Sequence, residues 1–295
     1  MENDIKKLKV GFMGLGMMGK GMAARICAAG YDLMVYDIVP ENCSSFKEKA
    51  AIAGSMQDVF GHSELLMLSL PGSKQVEEVI DAFIMYGCKN KDVIDLSTSY
   101  PGSTIELAAR LKENDSILVD APLSGGPRNA AEGTLNVMAG GDRAAVEKYR
   151  PVLEVISKNI FYTGASGSGN IIKLASNFVS MLHVCISAEI FPFVEKLGVD
   201  PNVLLEVLSV SAGNSPALQT VAPKIINDKF DVSFQIKLAF KDLSYLKRLF
   251  DEKGIPSLML DGGFNLHKMS VCKGLENEDI SAVSKVIKEF CDERK

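Results

Sequence analysis

The chain has 295 residues, enough for one large or two medium domains, and its 47% hydrophobic and 23% charged residues are typical of an ordinary globular protein. The formal net charge is -5, and no run rich in lysine or arginine stands out. These features exclude the electrostatic footprint of a protein that binds nucleic acid or an anionic membrane surface. We therefore expect neither nucleic acid nor a membrane as a partner.

Two further features bear on where the protein works. The opening residues, MENDIKKLKV, contain no apolar segment with a small-residue cleavage site, and no apolar run approaches the roughly 20 residues of a membrane helix. The six cysteines are scattered, with no C-x-x-C pair and no nearby histidine pair. Such cysteines favour reduced thiols over a disulfide framework or a zinc site. We expect a cytoplasmic protein without a bound metal.

Short apolar runs alternate with helical stretches from Lys9 to about Tyr162. This alternation is typical of a doubly wound parallel sheet with helices on both faces. The expected strands are KVGFMG, LMVYD, LLMLSL, DVIDLS, ILVDAP and LNVMAG. The sequence thus predicts an α/β fold that opens with a Rossmann domain over residues 1–165.

A glycine-rich motif of the form G-x-G-x-x-G directly follows the first strand. In this context the first glycine permits a tight turn, the second lets the backbone approach a pyrophosphate, and the third allows the helix to pack on the strand. The helix N-terminus adds N–H donors and partial positive charge. We expect a dinucleotide to bind here. The motif residues are Gly14, Leu15, Gly16, Met17, Met18 and Gly19.

The end of the second strand predicts which dinucleotide binds. Asp37 is placed to accept hydrogen bonds from the hydroxyls of an adenosine ribose, and its charge would repel a 2′-phosphate. No lysine or arginine follows until Lys47. NAD is therefore favoured over NADP. Two later loops, Leu70-Pro71-Gly72 and Ser97-Thr98-Ser99, follow strands at the carboxyl edge of the sheet and are plausible cofactor contacts.

Beyond Gly169 the sequence contains no convincing strand. Long periodic segments such as IIKLASNFVSMLHVCISAEIFPFVEKLG and ISAVSKVIKEFCDE predict helices. Residues 166–295 are therefore expected to form an all-helical domain, with the turn at residues 164–169 as the joint.

Proline and glycine residues bound and interrupt the first of these helices. It should end at Gly198, and Asp200 followed by Pro201 should cap and start the next helix. Pro192 lies inside the first helix, where it removes one backbone donor and clashes with the preceding turn. We expect a kink near residues 188–192.

The glycine-rich turn leads into a helix with two candidate catalytic side chains. Lys173 and Asn177 lie four residues apart, so their Cβ atoms share one helical face at about 5–6 Å, and one small substrate can contact both. Taken alone, the pair fits a solvated helix surface better than a catalytic lysine and its partner.

A second segment offers a candidate anion site. The residues from Asp120 to Gly133 leave the last parallel strand and include Ser124 with two adjacent glycines. Successive N–H groups and a hydroxyl can bind a carboxylate. The same residues are equally compatible with a turn that merely connects two strands.

Together these motifs resemble the β-hydroxyacid dehydrogenase family, which includes 3-hydroxyisobutyrate dehydrogenase and tartronate semialdehyde reductase. Four motifs occur in the family's order, near the family's spacing, and span nearly the whole chain. They are GLGMMG at 14–19, DAPLSGG at 120–126, GASGSGNIIKLASN at 164–177 and KDL at 241–243.

The resemblance implies hydride transfer between NAD and a small β-hydroxyacid or its semialdehyde, with Lys173 as the general acid/base. It also implies a homodimer or homotetramer assembled through the helical domain. The implied substrate-binding residues are Ser124, Gly125, Gly126 and Asn177. The implied cofactor contacts outside the glycine motif are Leu70, Pro71, Thr98 and Lys241.

The motifs do not identify which hydroxyacid is the substrate. 3-Hydroxyisobutyrate, glycerate or tartronate semialdehyde, threonate and 4-hydroxybutyrate differ only in the pocket lining they need. Arg128 and residues 211–215 are candidates for that lining, although Arg128 fits a solvated position better than a contact with a second acidic group.

Three other functions fit the sequence less well. A 6-phosphogluconate-type dehydrogenase would carry a longer helical part, and imine reductases generally lack the lysine. A non-catalytic nucleotide-binding module would lose it too. His62, His183 and His267 offer a competing acid/base, but the sequence gives none of them an acidic partner at catalytic spacing.

Overall fold

The computed structural model describes residues 8–292. The chain divides into two compact units, the first ending at Lys173 and the second beginning at Leu174. The predicted domain boundary, after residue 165, lies eight residues before this division, in the turn that precedes a long helix. It stays a prediction. Residues 1–7 lie outside the described residues. They are part of the opening segment in which the sequence shows no apolar segment with a cleavage site.

Within the described residues the first unit contains a nine-stranded sheet. Its strands are β1 (Lys9–Met13), β2 (Asp32–Tyr36), β3 (Ala51–Ile52), β4 (Leu65–Leu68), β5 (Asp92–Asp95), β6 (Leu118–Asp120), β7 (Leu123–Ser124), β8 (Leu135–Gly140) and β9 (Ser157–Gly164). Their order is β3-β2-β1-β4-β5-β6-β8-β7, and β9 pairs with β8. The predicted α/β class is confirmed.

The sheet is parallel from β3 to β6 and changes direction at β8. Neighbours from β3 through β2, β1, β4 and β5 to β6 are all parallel. Strand β8 is antiparallel to both β6 and β7, and parallel to β9. The expected parallel arrangement thus holds from β3 to β6 but not at this edge. Strands β6 and β7 run in the same direction, both antiparallel to β8, and the chain reverses within residues 125–134, between β7 and β8.

Helices cover both faces of the sheet. They are α1 (Gly19–Ala28), a 3₁₀ helix (Pro40–Phe46), α2 (Met56–His62), α3 (Ser73–Met85), α4 (Pro101–Lys112), α5 (Pro127–Glu132) and α6 (Arg143–Ile156). Along β4, Leu65 and Met67 join one buried cluster while Leu66 and Leu68 join another. Since alternate strand residues point to opposite faces, the sheet separates two cores, as a doubly wound fold requires.

The second unit is helical. Helix α7 (Ser168–Lys196) begins before the division and continues into this unit, followed by α8 (Pro201–Ser209), α9 (Pro216–Ile226), α10 (Ile236–Glu252), α11 (Leu258–Cys272), a 3₁₀ helix (Ile280–Val283) and α12 (Ser284–Asp292). Its residues 174–292 form no strand, only an isolated bridge between Gln235 and Asp279. The predicted change to an all-helical architecture is confirmed.

The limits of α7 follow the predicted signals. The helix ends at Lys196, and Gly198 adopts a φ of 78° just beyond it. The Asp200 carboxylate then accepts a hydrogen bond from Asn202 N–H, and Pro201 starts α8. Helix α7 continues through Pro192, and a kink there stays a prediction.

By length and composition alone, α7 is apolar enough to cross a membrane. The expectation that no apolar run approaches such a length therefore does not hold for α7 taken as a whole helix. Its buried side chains, among them Leu174, Met181, Ala188 and Phe191, belong to the core of the second unit. We interpret α7 as the central helix of that core.

Candidate active site

The glycine loop joins β1 to α1 and leaves no room for side chains at two of its glycines. Gly14 has a φ of 94°, and a Cβ atom there would lie 2.2 Å from the carbonyl oxygen of Ser69. A Cβ at Gly19 would lie 1.9 Å from the carbonyl oxygen of Gly14. In contrast, a Cβ at Gly16 would meet open space. The loop thus has the geometry of a pyrophosphate-binding turn at a helix N-terminus.

Asp37 follows β2 and is hydrogen-bonded to this loop. Its Oδ2 accepts a hydrogen bond from Leu15 N–H at 2.6 Å, and its Oδ1 accepts one from Val39 N–H at 2.8 Å. The side chain is half-buried, and each carboxylate oxygen keeps a second lone pair that a ribose hydroxyl can use. Asp37 therefore shapes the dinucleotide loop and stands where a ribose contact is predicted.

The loops after β4 and β5 are joined to each other. Leu70 and Pro71 follow β4, and Leu70 N–H donates a hydrogen bond to Ser97 Oγ at 2.8 Å. Thr98 comes next in the chain and is half-buried. All three predicted cofactor contacts thus lie at the carboxyl edge of the parallel strands, as does the glycine loop.

The first turn of α7 is fastened to the end of β6. Asp120 Oδ1 accepts a hydrogen bond from Gly167 N–H at 2.8 Å, and Oδ2 accepts one from Asn170 N–H at 3.0 Å. A Cβ at Gly169 would lie 2.3 Å from the carbonyl oxygen of Met138, so this close approach requires glycine. Lys173 is half-buried and follows Asn170 by about one turn. Its helix therefore starts at the same sheet edge as the cofactor loops.

A buried polar network extends this anchor to the loop after β5. Asp95 accepts hydrogen bonds from Ser97 N–H and from Ser99 Oγ, both at 2.9 Å. Ser99 N–H donates to Asn170 Oδ1 at 2.9 Å, and the Asn170 amide donates to Thr104 Oγ1 at 3.2 Å. The motifs do not predict this network. The sequence does contain a sign of this network. Asp95 and Asp120 are each the last residue of an apolar strand, where an ionised group is costly unless it is hydrogen-bonded.

Asp120 is fully buried, and this burial raises the pKa of its carboxyl group to about 6. Hydrogen bonds from Gly167 and Asn170 favour the charged form and lower the pKa, whereas the nearby charge of Asp95 adds to the rise. The group that anchors α7 therefore changes its protonation close to neutral pH.

The predicted carboxylate site lies between β7 and α5. Ser124 ends β7 and is half-buried, Gly125 is exposed with a φ of 128°, and Gly126 caps α5. The N–H of Gly126 donates a hydrogen bond to Asn129 Oδ1 at 3.0 Å. Of the two glycine N–H groups predicted to bind the substrate, the one on Gly126 is therefore already used within the protein.

In the second unit, Asn177 on α7 and Lys241 on α10 both contact Asp242. Asn177 Nδ2 donates a hydrogen bond to Asp242 Oδ2 at 2.7 Å, and Lys241 Nζ lies 3.2 Å from Asp242 Oδ1. The Lys241 ammonium also lies 5.2 Å from the centre of the Tyr245 ring. Asp242 thus contacts two predicted site residues, Asn177 and Lys241. It is the second residue of the KDL motif, but the motif assigns it no role.

The other candidate residues lie in structural or exposed positions. His62 Nε2 lies 3.5 Å from Asp32 Oδ1, an acidic neighbour that the spacing in the sequence does not reveal. Asp32 begins β2, however, at the end opposite to Asp37. Burial lowers the pKa of His267, which is fully buried in the core. Arg128 is 89% exposed and pairs with Glu132 at 2.7 Å, which agrees with a solvated side chain.

Both units are similar in sequence to known proteins. Residues 9–164 match the NAD binding domain of 6-phosphogluconate dehydrogenase, and residues 167–287 match the NAD-binding domain of NADP-dependent 3-hydroxyisobutyrate dehydrogenase. The 2-(hydroxymethyl)glutarate dehydrogenase of Eubacterium barkeri is 33% identical over 286 residues, which cover 95% of each chain. This chain belongs to the β-hydroxyacid dehydrogenase family.

Further similarities agree with this assignment. The 2-hydroxy-3-oxopropionate reductase of Escherichia coli (strain K12) is 34% identical over 242 residues, covering 80% of this chain and 82% of that relative. A solved structure of Mycobacterium tuberculosis 3-hydroxyisobutyrate dehydrogenase with L-serine superposes with a TM-score of 0.87 at 26% identity, covering 96% of this chain and 99% of that chain. This β-hydroxyacid dehydrogenase is an NAD-binding oxidoreductase that acts on CH–OH donors.

Proposed function

We propose that this β-hydroxyacid dehydrogenase transfers a hydride between NAD and a small β-hydroxyacid or its semialdehyde, with Lys173 as general acid/base. The observation that best supports the proposal is the anchoring of α7. Asp120 binds the first turn of the helix that carries Lys173, at the sheet edge where the dinucleotide loop and Thr98 also lie. A lysine rooted there is suited to chemistry beside a nicotinamide.

Each residue has a defined task in this mechanism. NAD accepts or supplies the hydride at nicotinamide C4 when it is bound. In oxidation Lys173 takes the proton of the substrate hydroxyl; in reduction it donates a proton to the developing alkoxide and stabilises that oxygen. The Ser124 hydroxyl and Gly125 N–H hold the substrate carboxylate, and Gly126 joins them when its N–H leaves Asn129. Asn177 orients the substrate.

We infer a preference for NAD over NADP from Asp37. Its carboxylate is held by Leu15 N–H and Val39 N–H, so the negative charge is fixed beside the glycine loop. A ribose 2′-hydroxyl can donate to it, whereas a 2′-phosphate would be repelled. Lys241 and the loop residues Leu70, Pro71 and Thr98 are the further proposed cofactor contacts.

The substrate class is supported by a chemical feature of the relatives. 2-(Hydroxymethyl)glutarate, 2-hydroxy-3-oxopropionate and L-serine each carry a primary alcohol or aldehyde on the carbon β to a carboxylate. We propose the same arrangement for this substrate, with 3-hydroxyisobutyrate and glycerate as examples. Arg128 is exposed and paired with Glu132, so it lends no support to a second carboxylate contact.

A substrate panel tests the proposal. Absorbance at 340 nm is followed with NAD and NADP in parallel on 3-hydroxyisobutyrate, glycerate, threonate, L-serine and 2-(hydroxymethyl)glutarate. 4-Hydroxybutyrate serves as the comparator, because its hydroxyl lies one carbon further from the carboxylate. We expect the highest kcat/KM on a β-hydroxyacid with NAD. Binding of NAD without turnover of any acid would contradict the proposal and favour a non-catalytic nucleotide-binding module.

We also propose that the protein is a homodimer or homotetramer. On α7, Val179, Ile186 and Phe193 recur every seven residues, and each is more than half exposed, at 56%, 57% and 51%. A cleft of about 490 Å³ beside this stripe is lined by Ile287 and Phe290 of α12. Heptad-spaced apolar residues on the exposed face of a helix favour pairing with a second copy of the chain.

The six cysteines support a reducing compartment. Cys27, Cys43, Cys88, Cys185, Cys272 and Cys291 are all free thiols. Since cytosolic proteins keep their thiols reduced, we propose a cytoplasmic location. Among residues 8–292, no three histidine, cysteine, aspartate or glutamate side chains are placed to hold a metal ion, so we expect activity to survive chelators.

A further inference from the structure

Asp242 is an acidic residue on the buried face of α10. It is 4% exposed, and its neighbours on that face, Ala239, Leu243 and Leu246, are buried and apolar. An ionised carboxylate in such surroundings is strongly disfavoured unless it is both paired and hydrogen-bonded. A neutral apolar side chain would suit this helix face better, so the partners of Asp242 explain its presence.

Those partners are two residues to which the proposed function assigns roles. Oδ2 accepts a hydrogen bond from Asn177 Nδ2 at 2.7 Å, and Oδ1 lies 3.2 Å from Lys241 Nζ. Oδ1 is inaccessible to solvent and accepts no hydrogen bond from the described residues, so its contact with Lys241 is an ion pair. The Lys241 ammonium is therefore the group that balances the charge at this oxygen.

The contact with Asn177 also fixes which end of its carboxamide faces the acid. A carboxylate only accepts hydrogen bonds, so it selects the amide NH₂ and turns Oδ1 of Asn177 away. Lys241 is restrained in a similar way, since its side chain is 22% exposed and its ammonium lies near both Asp242 and the Tyr245 ring.

We propose that Asp242 is a positioning residue that holds Asn177 and Lys241 in one arrangement. In this role Asp242 acts through its two partners: it orients the carboxamide that is proposed to bind the acid and the ammonium that is proposed to contact the cofactor. This inference rests on the proposed function, because Asn177 and Lys241 take their roles from it.

Asp242→Asn separates the two contacts. The amide oxygen still accepts a hydrogen bond from Asn177, but the charge that pairs with Lys241 is lost. We expect kcat/KM for the hydroxyacid to fall about 10- to 100-fold, since charge-assisted hydrogen bonds to functional groups typically have effects of this size. The dissociation constant of NADH, measured by fluorescence, should rise with it. The matched control is Asp261→Asn, which removes an ion pair to Lys247 at 2.6 Å that touches no proposed site residue; it should leave both values near wild type.

A double-mutant cycle identifies the route of the effect. If Asp242 acts through Asn177, Asp242→Ala should lower kcat/KM much less in an Asn177→Ala background than in the wild type. Thermal melting of each variant separates positioning from loss of folded protein. Additive effects that follow the melting temperature, or an Asp242→Asn enzyme as active as Asp261→Asn, would overturn the inference while leaving the proposed function intact. Failure of the wild type to turn over any acid would instead overturn the proposed function.

Discussion

Three buried or half-buried carboxylates hold the residues of the candidate site in place. Asp37 is hydrogen-bonded to the dinucleotide loop, and Asp120 to the first turn of α7. Asp242 is hydrogen-bonded to Asn177 and forms an ion pair with Lys241. In each case an acceptor-only group fixes the donors around it, which is an effective way to orient backbone N–H groups, amides and ammonium groups. These acids hold the residues proposed for binding and chemistry.

Asp120→Asn should change the pH dependence of stability. The pKa of Asp120 is raised from 3.8 to about 6, so its contribution to stability is fully present below pH 3.8 and is lost as the pH rises through 6. Asparagine does not titrate. The unfolding free energy of the wild type minus that of the variant should therefore fall by about 2 kcal/mol between pH 4 and pH 7. Urea unfolding at several pH values measures this difference, and a constant value would contradict the raised pKa.

The motifs predict where the proposed site residues lie in the chain but not what holds them. Gly14 to Gly19, Asp37 and Lys173 can be located from local spacing alone. Their partners cannot, because the bonds from Asp120 to Gly167 and from Asn177 to Asp242 join residues that are distant in sequence. Such pairs are set by tertiary packing, which local spacing does not encode.

Helix α7 contributes to both units. Its first turn packs on the sheet because Gly169 has no side chain, and its later turns form the core of the second unit. The same helix carries Lys173 and Asn177 one turn apart. The position of this helix on the sheet therefore decides where the proposed catalytic lysine lies.

Gly169→Ala should displace that helix. A Cβ at Gly169 would lie 2.3 Å from Met138 O and 2.7 Å from Asp120 O, so the substitution should cost about 1–3 kcal/mol of unfolding free energy and lower kcat. Gly262→Ala on α11 is the matched control, since a Cβ there meets no atom within 4 Å. It should raise stability by about 0.5–1 kcal/mol, because alanine is the better helix former. Equal effects in denaturant unfolding would rule out the close approach as the reason for glycine at 169.

Strands were predictable where they are buried and apolar. The expected runs at β1, β2, β4, β5, β6 and β8 all form strands. Strands β3, β7 and β9 were not predicted, because β3 and β7 have two residues each and β9 is largely exposed, with no continuous apolar run. The reversal before β8 likewise gives no periodic signal, because it takes place in the short connection between β7 and β8.

The whole molecule combines a nucleotide-binding unit with a helical unit, each with its own core. The helical unit exposes an apolar stripe on α7 that a monomer would leave in water. Ile186→Asp should therefore give a monomer in analytical ultracentrifugation, whereas Met85→Asp, at an 88% exposed apolar position of the first unit, should leave the assembly unchanged. An Ile186→Asp protein that keeps the wild-type mass would place the interface elsewhere.

The turnover of Lys173→Ala on the best acid of the substrate panel tests the proposed role of Lys173 as general acid/base in hydride transfer. NADH affinity is measured in parallel, and Lys196→Ala, an exposed lysine on the same helix, serves as the control. Positioned acid/base groups typically contribute about 10²–10⁴-fold, so kcat should fall at least about 100-fold while NADH binding and the control stay near wild type. Near-native turnover by Lys173→Ala would contradict the assignment.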